Sequence, residues 1–199
     1  MKDFINSRRH WIFDLDGTLT VAVHDFAAIR RELCIPDGSD ILGHLDSLPG
    51  REAAPLHQRL QEIELELSHL TGAATGALRL IAELYDRGAS LGILTRNTRE
   101  NALRTLELVG LGGFFEVEYV LGRDEAVPKP DPDGIQRLAE LWETEPSEVV
   151  MVGDYLYDLQ AGRSAGAMTV HIDTAGEFRW PDLADLTIES LEEIMLHLE

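Results

Sequence analysis

Cysteine is almost absent: Cys34 is the only one in 199 residues. One thiol closes no internal disulfide, so packing alone must hold the fold. No Cys–His motif surrounds it, which argues against thiol chemistry, and Cys34 is expected to be a structural helix residue. Long apolar runs are also missing, and nothing approaches the ~20 residues that cross a bilayer. The N-terminal stretch Met1 to Arg9 lacks the apolar segment of a secretory signal. The expectation is a cytoplasmic protein with no membrane partner. Basic residues are scarce, 17 Lys and Arg against 36 Asp and Glu, giving a net charge of -19. A field of that sign repels nucleic acid phosphates, so no polynucleotide partner is expected. It would also repel a small phosphorylated ligand, unless a metal and a few placed cations reverse the potential locally. Neither internal repeats nor low-complexity tracts occur. No long exposed apolar stripe is evident, which predicts a monomer or weak dimer.

What is present is alternation. From Leu78 onward, strand-like and helix-like segments take turns. Leu78–Asp86 reads as a helix with Leu78, Ile81, Ala82 and Tyr85 on one face, and Ser90–Leu94 as a strand. Thr98–Val109 reads as a helix, Val117–Leu121 as a strand, and Pro132–Trp142 as a helix with proline in its first turn. Val149–Val152 is a buried strand, Asp158–Ala165 a helix stopped by Gly166, and Met168–Ile172 another strand. Leu186–Ile188 is a short edge strand and Ser190–Leu198 a closing helix. An earlier apolar run, His10–Phe13, supplies the first strand. This order predicts an α/β fold, a doubly wound, mostly parallel, Rossmann-like sheet with helices on both faces. Residues 21–75 break the rhythm. Asp25–Cys34 and Pro55–Leu70 read as helices, the second carrying Leu56, Leu60, Ile63, Leu67 and Leu70 at helical spacing. Pro36, Gly38, Gly43, Pro49 and Gly50 punctuate the stretch between. The expected division is a core of residues 1–20 and 76–199, with a helical cap of residues 21–75 over the mouth of the sheet.

Ligands of such sheets bind beyond the carboxyl ends of the strands, and four stretches with chemical content fall there. Asp14-Leu15-Asp16-Gly17-Thr18 closes the first strand with two acids that repel each other unless a cation, proton or phosphoryl group joins them. Thr95-Arg96-Asn97-Thr98 joins a strand to a helix, where a hydroxyl and free amides suit an anion, or where Thr95 or Asn97 simply caps the helix. Val127-Pro128-Lys129-Pro130-Asp131-Pro132 fixes one lysine in stiff backbone. Gly153-Asp154 ends the most hydrophobic strand with an acid that needs a partner, and Asp158 opens the next helix. His24, His44 and His57 have no ligand spacing.

Together, in this order, the four stretches resemble the motifs of the haloacid dehalogenase superfamily of phosphohydrolases. The resemblance covers nearly the whole chain. It is closest to the group with a helical cap between the first two motifs, which includes phosphoglycolate-phosphatase-like enzymes. It implies that Asp14 is the nucleophile that forms an aspartyl-phosphate and that Asp16 is the general acid/base. Thr95 would bind phosphoryl oxygens, with Gly17, Thr18, Arg96 and Asn97 as further substrate-binding candidates. Lys129 would stabilise nucleophile and phosphoryl group together. Magnesium would be held by Asp14, Asp16 (through its backbone carbonyl), Asp154 and Asp158. Arg96 stands where the family often has a smaller residue, so it either pairs at the surface or reaches a second substrate anion. Arg51, after the Pro49-Gly50 turn, is expected to face the site and contribute to substrate choice.

The resemblance therefore implies a magnesium-dependent phosphatase acting on a small phosphorylated metabolite. Asp16 argues against a dehalogenase, which has no alcohol to protonate. Two alternatives stay open: a phosphomutase of the beta-phosphoglucomutase type, which shares the core motifs, and a non-catalytic binding protein on the same fold. The phosphomonoester itself is not legible.

Overall fold

Along the first strand, Trp11 and Phe13 point into one apolar cluster and Ile12 into another, the two-residue alternation of a strand covered on both faces. That strand, β1 (His10–Phe13), sits mid-sheet in a computed structural model that describes residues 5–198. Its companions are β2 (Ser90–Leu94), β3 (Val120–Leu121), β4 (Val149–Gly153), β5 (Met168–Ile172) and β6 (Leu186–Ile188). All neighbours pair in parallel, in the order β3-β2-β1-β4-β5-β6. The chain reverses direction across the sheet beside β1, so the carboxyl ends of β1, β2 and β4 open one crevice.

Eight α-helices are described: α1 (Phe26–Glu32), α2 (Ile41–Asp46), α3 (Gly50–Ser68), α4 (Ala77–Asp86), α5 (Arg99–Leu108), α6 (Asp133–Leu141), α7 (Leu156–Ala165) and α8 (Glu192–Met195). Leu80 and Leu84 of α4, Leu106 of α5 and Ile194 of α8 cover one face of the sheet with Trp11 and Phe13. Ile135 and Leu138 of α6 and Ala161 of α7 cover the other with Ile12 and Met151. Burial of whole aliphatic and aromatic side chains, worth about 1.5–3 kcal/mol each, drives this layering. Helices α1 to α3 form a third apolar cluster of their own, with Ile29, Leu42, Leu45, Leu60 and Ile63 at its centre. The two strands of chain leading into and out of this helical segment run side by side. Val21 N–H donates to the Gly72 carbonyl at 2.9 Å, and Ala74 N–H to that of Leu19 at 2.9 Å.

Several local expectations are corrected. Residues 117–119 form a 3-10 turn, leaving a two-residue β3. The stretch between the two cap helices contains α2, because Asp40 caps it by accepting from Gly43 N–H at 2.8 Å, and Leu42 and Leu45 are buried. Helix α3 begins at Gly50, with Pro55 inside it. Leu70 lies beyond its end and is exposed. The buried face of α4 is Ala77, Leu80, Ile81 and Leu84, while Leu78 and Tyr85 are exposed. A one-position change of phase turns that stripe by about 100°. Pro132 is the N-cap residue of α6, and the closing helix is four residues long. Cys34 is exposed, outside α1, with a φ of 56°. Residues 1–4 of the N-terminal stretch and residue 199 lie outside the described residues.

Trp11→Ala removes a side chain fully buried in the larger cluster. It is expected to lower unfolding free energy by about 3–5 kcal/mol, measured by urea denaturation.

Candidate active site

Asp14 continues β1 by one residue, its N–H donating to the Val152 carbonyl at 2.9 Å. The carboxylate is thereby fixed at the rim of the sheet, 7% exposed. Lys129, held between Pro128 and Pro130, brings its ammonium to that rim. Its Nζ lies 2.6 Å from Asp14 Oδ1 and 2.6 Å from Asp158 Oδ1. Asp158, in the first turn of α7, also accepts from Tyr155 N–H through Oδ2 at 3.0 Å. It is therefore more than a partner of the helix dipole. Asp154, one residue past β4, accepts from the Thr18 hydroxyl at 3.2 Å. Two glycines make room for this convergence. A side chain at Gly17, where φ is 94°, would meet Asp154 Oδ2 at 2.6 Å, and one at Gly153 would fall 2.2 Å from the Asp158 Cβ.

Asp14, Asp154 and Asp158 each offer an oxygen within 4.8 Å of the others. Of these three carboxylates the one ammonium pairs with two, Asp14 and Asp158, so negative charge is in excess. Lys129 stays protonated: burial acts to lower its pKa, but Asp14 and Asp158 outweigh that. Burial pushes Asp154 up to about 8, reinforced by the charges of Asp14 and Asp158. Burial likewise raises Asp158 to about 6, with Lys129 opposing. Asp14 is raised too, by burial first, against Lys129. An all-oxygen donor set with surplus negative charge suits a hard divalent cation such as magnesium.

Asp16 does not join this cluster through its side chain. The turn at Gly17 intervenes, and Asp16 instead accepts from the Asn97 amide at 3.4 Å. Thr95, buried at the end of β2, accepts from Asn97 N–H through its hydroxyl at 3.1 Å. The cap of α5 is neither of these residues but Thr98, whose hydroxyl accepts from Asn101 N–H at 3.3 Å. Thr95 and Asn97 are therefore not used up as caps.

A cavity of about 250 Å³ lies between this rim and the helical segment. Asp14, Asp16, Thr95, Arg96, Asn97, Lys129, Asp154 and Asp158 line it from the core. Phe26, Ile29, Ile41, Leu42 and Leu60 give the opposite wall an apolar character, and Tyr155 and Tyr157 stand beside it. Gly17 and Thr18 support the rim from beneath without lining the cavity. Two ion pairs cross from segment to core: Arg96 to Asp40 at 2.6 Å, and Arg123 to Glu64 at 2.7 Å. Arg96 also stacks over Tyr157, 4.7 Å from the ring centre. Its charge is thus bound to a carboxylate of the helical segment. Arg51 is not in the cavity: its side chain is 87% exposed, and its carboxylate partner is its neighbour Glu52 at 3.7 Å. The first turn of α3 faces solvent there. Among the acidic and arginine side chains of the cavity, three escaped the sequence reading: Asp40, Glu64 and Arg30. Their only signal was charge inside a segment whose helix faces were not yet phased.

A parallel α/β sheet with an acid-rich, lysine-bearing rim at its switch point defines a class, the doubly wound α/β proteins whose site lies at the carboxyl ends of the strands. Comparison with known proteins identifies the family. The profile of the haloacid dehalogenase-like hydrolases matches residues 35–172, and the chain belongs to that family. A haloacid dehalogenase-like hydrolase domain-containing protein of Arabidopsis thaliana is 30% identical, over 94% of this chain and 82% of the relative. The pyrophosphatase PpaX of Listeria innocua is 31% identical over 81% of each chain. Among solved structures, a haloacid dehalogenase-family phosphatase from Thermococcus onnurineus superposes with a TM-score of 0.72 at 27% identity, covering 96% of this chain and 97% of its own. Among the described residues, no helix is long and apolar enough to cross a membrane.

The carboxylate cluster makes stability depend on pH and metal. A carboxyl group with a raised folded pKa stabilises the fold while protonated, and that contribution is lost as pH rises through the folded value. In EDTA the melting temperature should therefore fall as pH rises from 5 to 8 through the Asp154 value of about 8 and the Asp158 value of about 6. Asp154→Asn should flatten that fall, and magnesium should raise the wild-type melting temperature more at pH 8 than at pH 5. Scanning fluorimetry across pH, with and without metal, checks all three.

Proposed function

We propose that this chain is a magnesium-dependent phosphatase that hydrolyses a small phosphomonoester through an aspartyl-phosphate, in the manner of the phosphoglycolate-phosphatase-like group. The observation that carries the reading is the meeting of Asp14, Lys129, Asp154 and Asp158 at one sheet rim, with Asp16 beside them in the same cavity. The division into a core of residues 1–20 and 76–199 and a cap of residues 21–75 belongs to this proposal. The separate apolar cluster of α1 to α3 and the paired linkers support it.

Asp14, Asp154 and Asp158, with the Asp16 carbonyl, would hold the metal. The ion would offset the repulsion between carboxylate and phosphate and orient the phosphoryl group. An Asp14 oxygen forms a bond to phosphorus as the bond from phosphorus to the leaving oxygen breaks, and Asp16 delivers its proton to that oxygen. Ionised Asp16 then takes a proton from water, the water oxygen attacks phosphorus, and Asp14 is released with inorganic phosphate. Asn97 orients Asp16, while Lys129 and the Thr95 hydroxyl stabilise charge on the phosphoryl oxygens. The named pyrophosphatase and phosphatase relatives cleave phosphorus–oxygen bonds, which supports the reaction class. The substrate is left to the cavity.

Purified protein with magnesium should release inorganic phosphate from a panel of phosphorylated metabolites, and EDTA should abolish the release. Asp14→Asn should leave no turnover, and Asp16→Asn should lower kcat by roughly 10²–10⁴-fold. Activity persisting in EDTA, or surviving Asp14→Asn, would refute the reading; isomerisation without phosphate release would indicate a mutase.

A further inference from the structure

The helical segment supplies one wall of the cavity, and the charges around the cavity are unequally matched. Lys129 is held by Asp14 and Asp158, and Arg96 by Asp40. The carboxylate of Glu64 is taken by Arg123. Arg30 is the exception. It lines the same cavity, half-buried, yet has no carboxylate partner among the described residues. In a chain with 36 acids to 17 Lys and Arg, a cavity-lining guanidinium without an acid is not a consequence of composition.

Its placement is built. Ile29, the residue before it on α1, is anchored in the apolar cluster of the helical segment. Arg30 Nε donates to the Ser39 carbonyl at 2.8 Å, which pins the guanidinium against the loop that precedes α2. A guanidinium has five N–H donors, and this contact uses one. The terminal nitrogens form the planar fork that fits a carboxylate or phosphate with two parallel hydrogen bonds. No carboxylate of the chain occupies that fork among the described residues.

We propose that Arg30 binds a second anionic group on the substrate's leaving group, so that the preferred substrates carry one acid beyond the phosphoryl group that is cleaved. The inference rests on the phosphatase reading and narrows its substrate class. The second acid is a carboxylate or a phosphate, and the site takes either by the same chemistry. Arg96 cannot serve while Asp40 holds it, and Arg51 is outside the cavity.

Steady-state kinetics on glycerol phosphate, phosphoglycolate and inorganic pyrophosphate test this with magnesium present. Their leaving groups are neutral, carboxylate-bearing and phosphate, respectively. The wild type should prefer at least one of the anionic pair over glycerol phosphate. Arg30→Gln should reduce that preference by roughly 10–100-fold through the KM of the anionic substrate, the loss expected for a charge-assisted pair. Arg30→Lys, which keeps the charge but not the fork, should restore part of it and serves as the second variant if the glutamine form folds poorly. Which anionic substrate responds distinguishes carboxylate from phosphate. A wild type that turns over glycerol phosphate at least as well as both anionic substrates would overturn the inference alone. An equal effect of Arg30→Gln on all three substrates, or no effect, would do the same. No turnover of any of the three substrates would overturn the phosphatase reading and this inference together.

Discussion

One ammonium group between buried carboxylates organises the centre of this molecule. Lys129 reaches Asp14 at the end of β1 and Asp158 at the start of α7, joining three parts of the chain that are remote in sequence. Buried charges are tolerated only when paired and hydrogen-bonded, and this pairing is incomplete by design. With Asp154 included, the acids outnumber the cation, and the excess is held at the rim of the sheet facing the cavity. A purely structural ion pair would balance its charges. A surplus of carboxylate oxygens at a rim facing the cavity fits the proposed site, which takes up a cation and then an anionic substrate.

The same electrostatic logic governs how the helical segment sits. Its three helices bury their own apolar cluster, and its two linkers bond to each other where they leave the core. Beyond those linkers, Arg96–Asp40 and Arg123–Glu64 tie segment to core across the cavity. Glu64 is buried, and its pKa is raised by burial against the pull of Arg123. Its other carboxylate oxygen has no hydrogen-bond partner among the described residues. Asp40 both caps α2 and holds Arg96, so the N-terminus of one short helix and an arginine beyond β2 are fixed by one carboxylate. Because Arg96 is bound in this way, the cavity-lining arginine without a carboxylate partner among the described residues lies on the helical segment, at Arg30.

Much of the fold was legible because its signals are local. Continuous apolar runs bounded by glycine marked β1, β2, β4 and β5, and their alternation with amphipathic segments implied a parallel sheet. The order of acid, hydroxyl, lysine and acid at successive strand ends pointed to the rim where those residues now meet. The misreadings came from features that depend on partners distant in sequence. The stripe on α4 was set one position out of phase because Leu78 and Tyr85 are as apolar as the residues that are buried, and only the sheet beneath chooses among them. Helix α2 was hidden by Gly43, which a helix admits there because Asp40 caps its N–H. Arg51, expected to face the site, points to solvent outside the cavity, because proline-glycine punctuation shows where a loop bends and not which way it faces.

What the sequence determined by itself was the sheet and the chemical types at its rim, since hydrophobic period and strand-end residues are properties of neighbouring positions. Tertiary structure alone decided that Asp158 shares Lys129 with Asp14, that Asp16 turns away toward Asn97, and which arginine is left without an acid. Those outcomes depend on distances of a few ångströms between residues tens of positions apart, where burial weakens screening and a charge is defined by what packs against it.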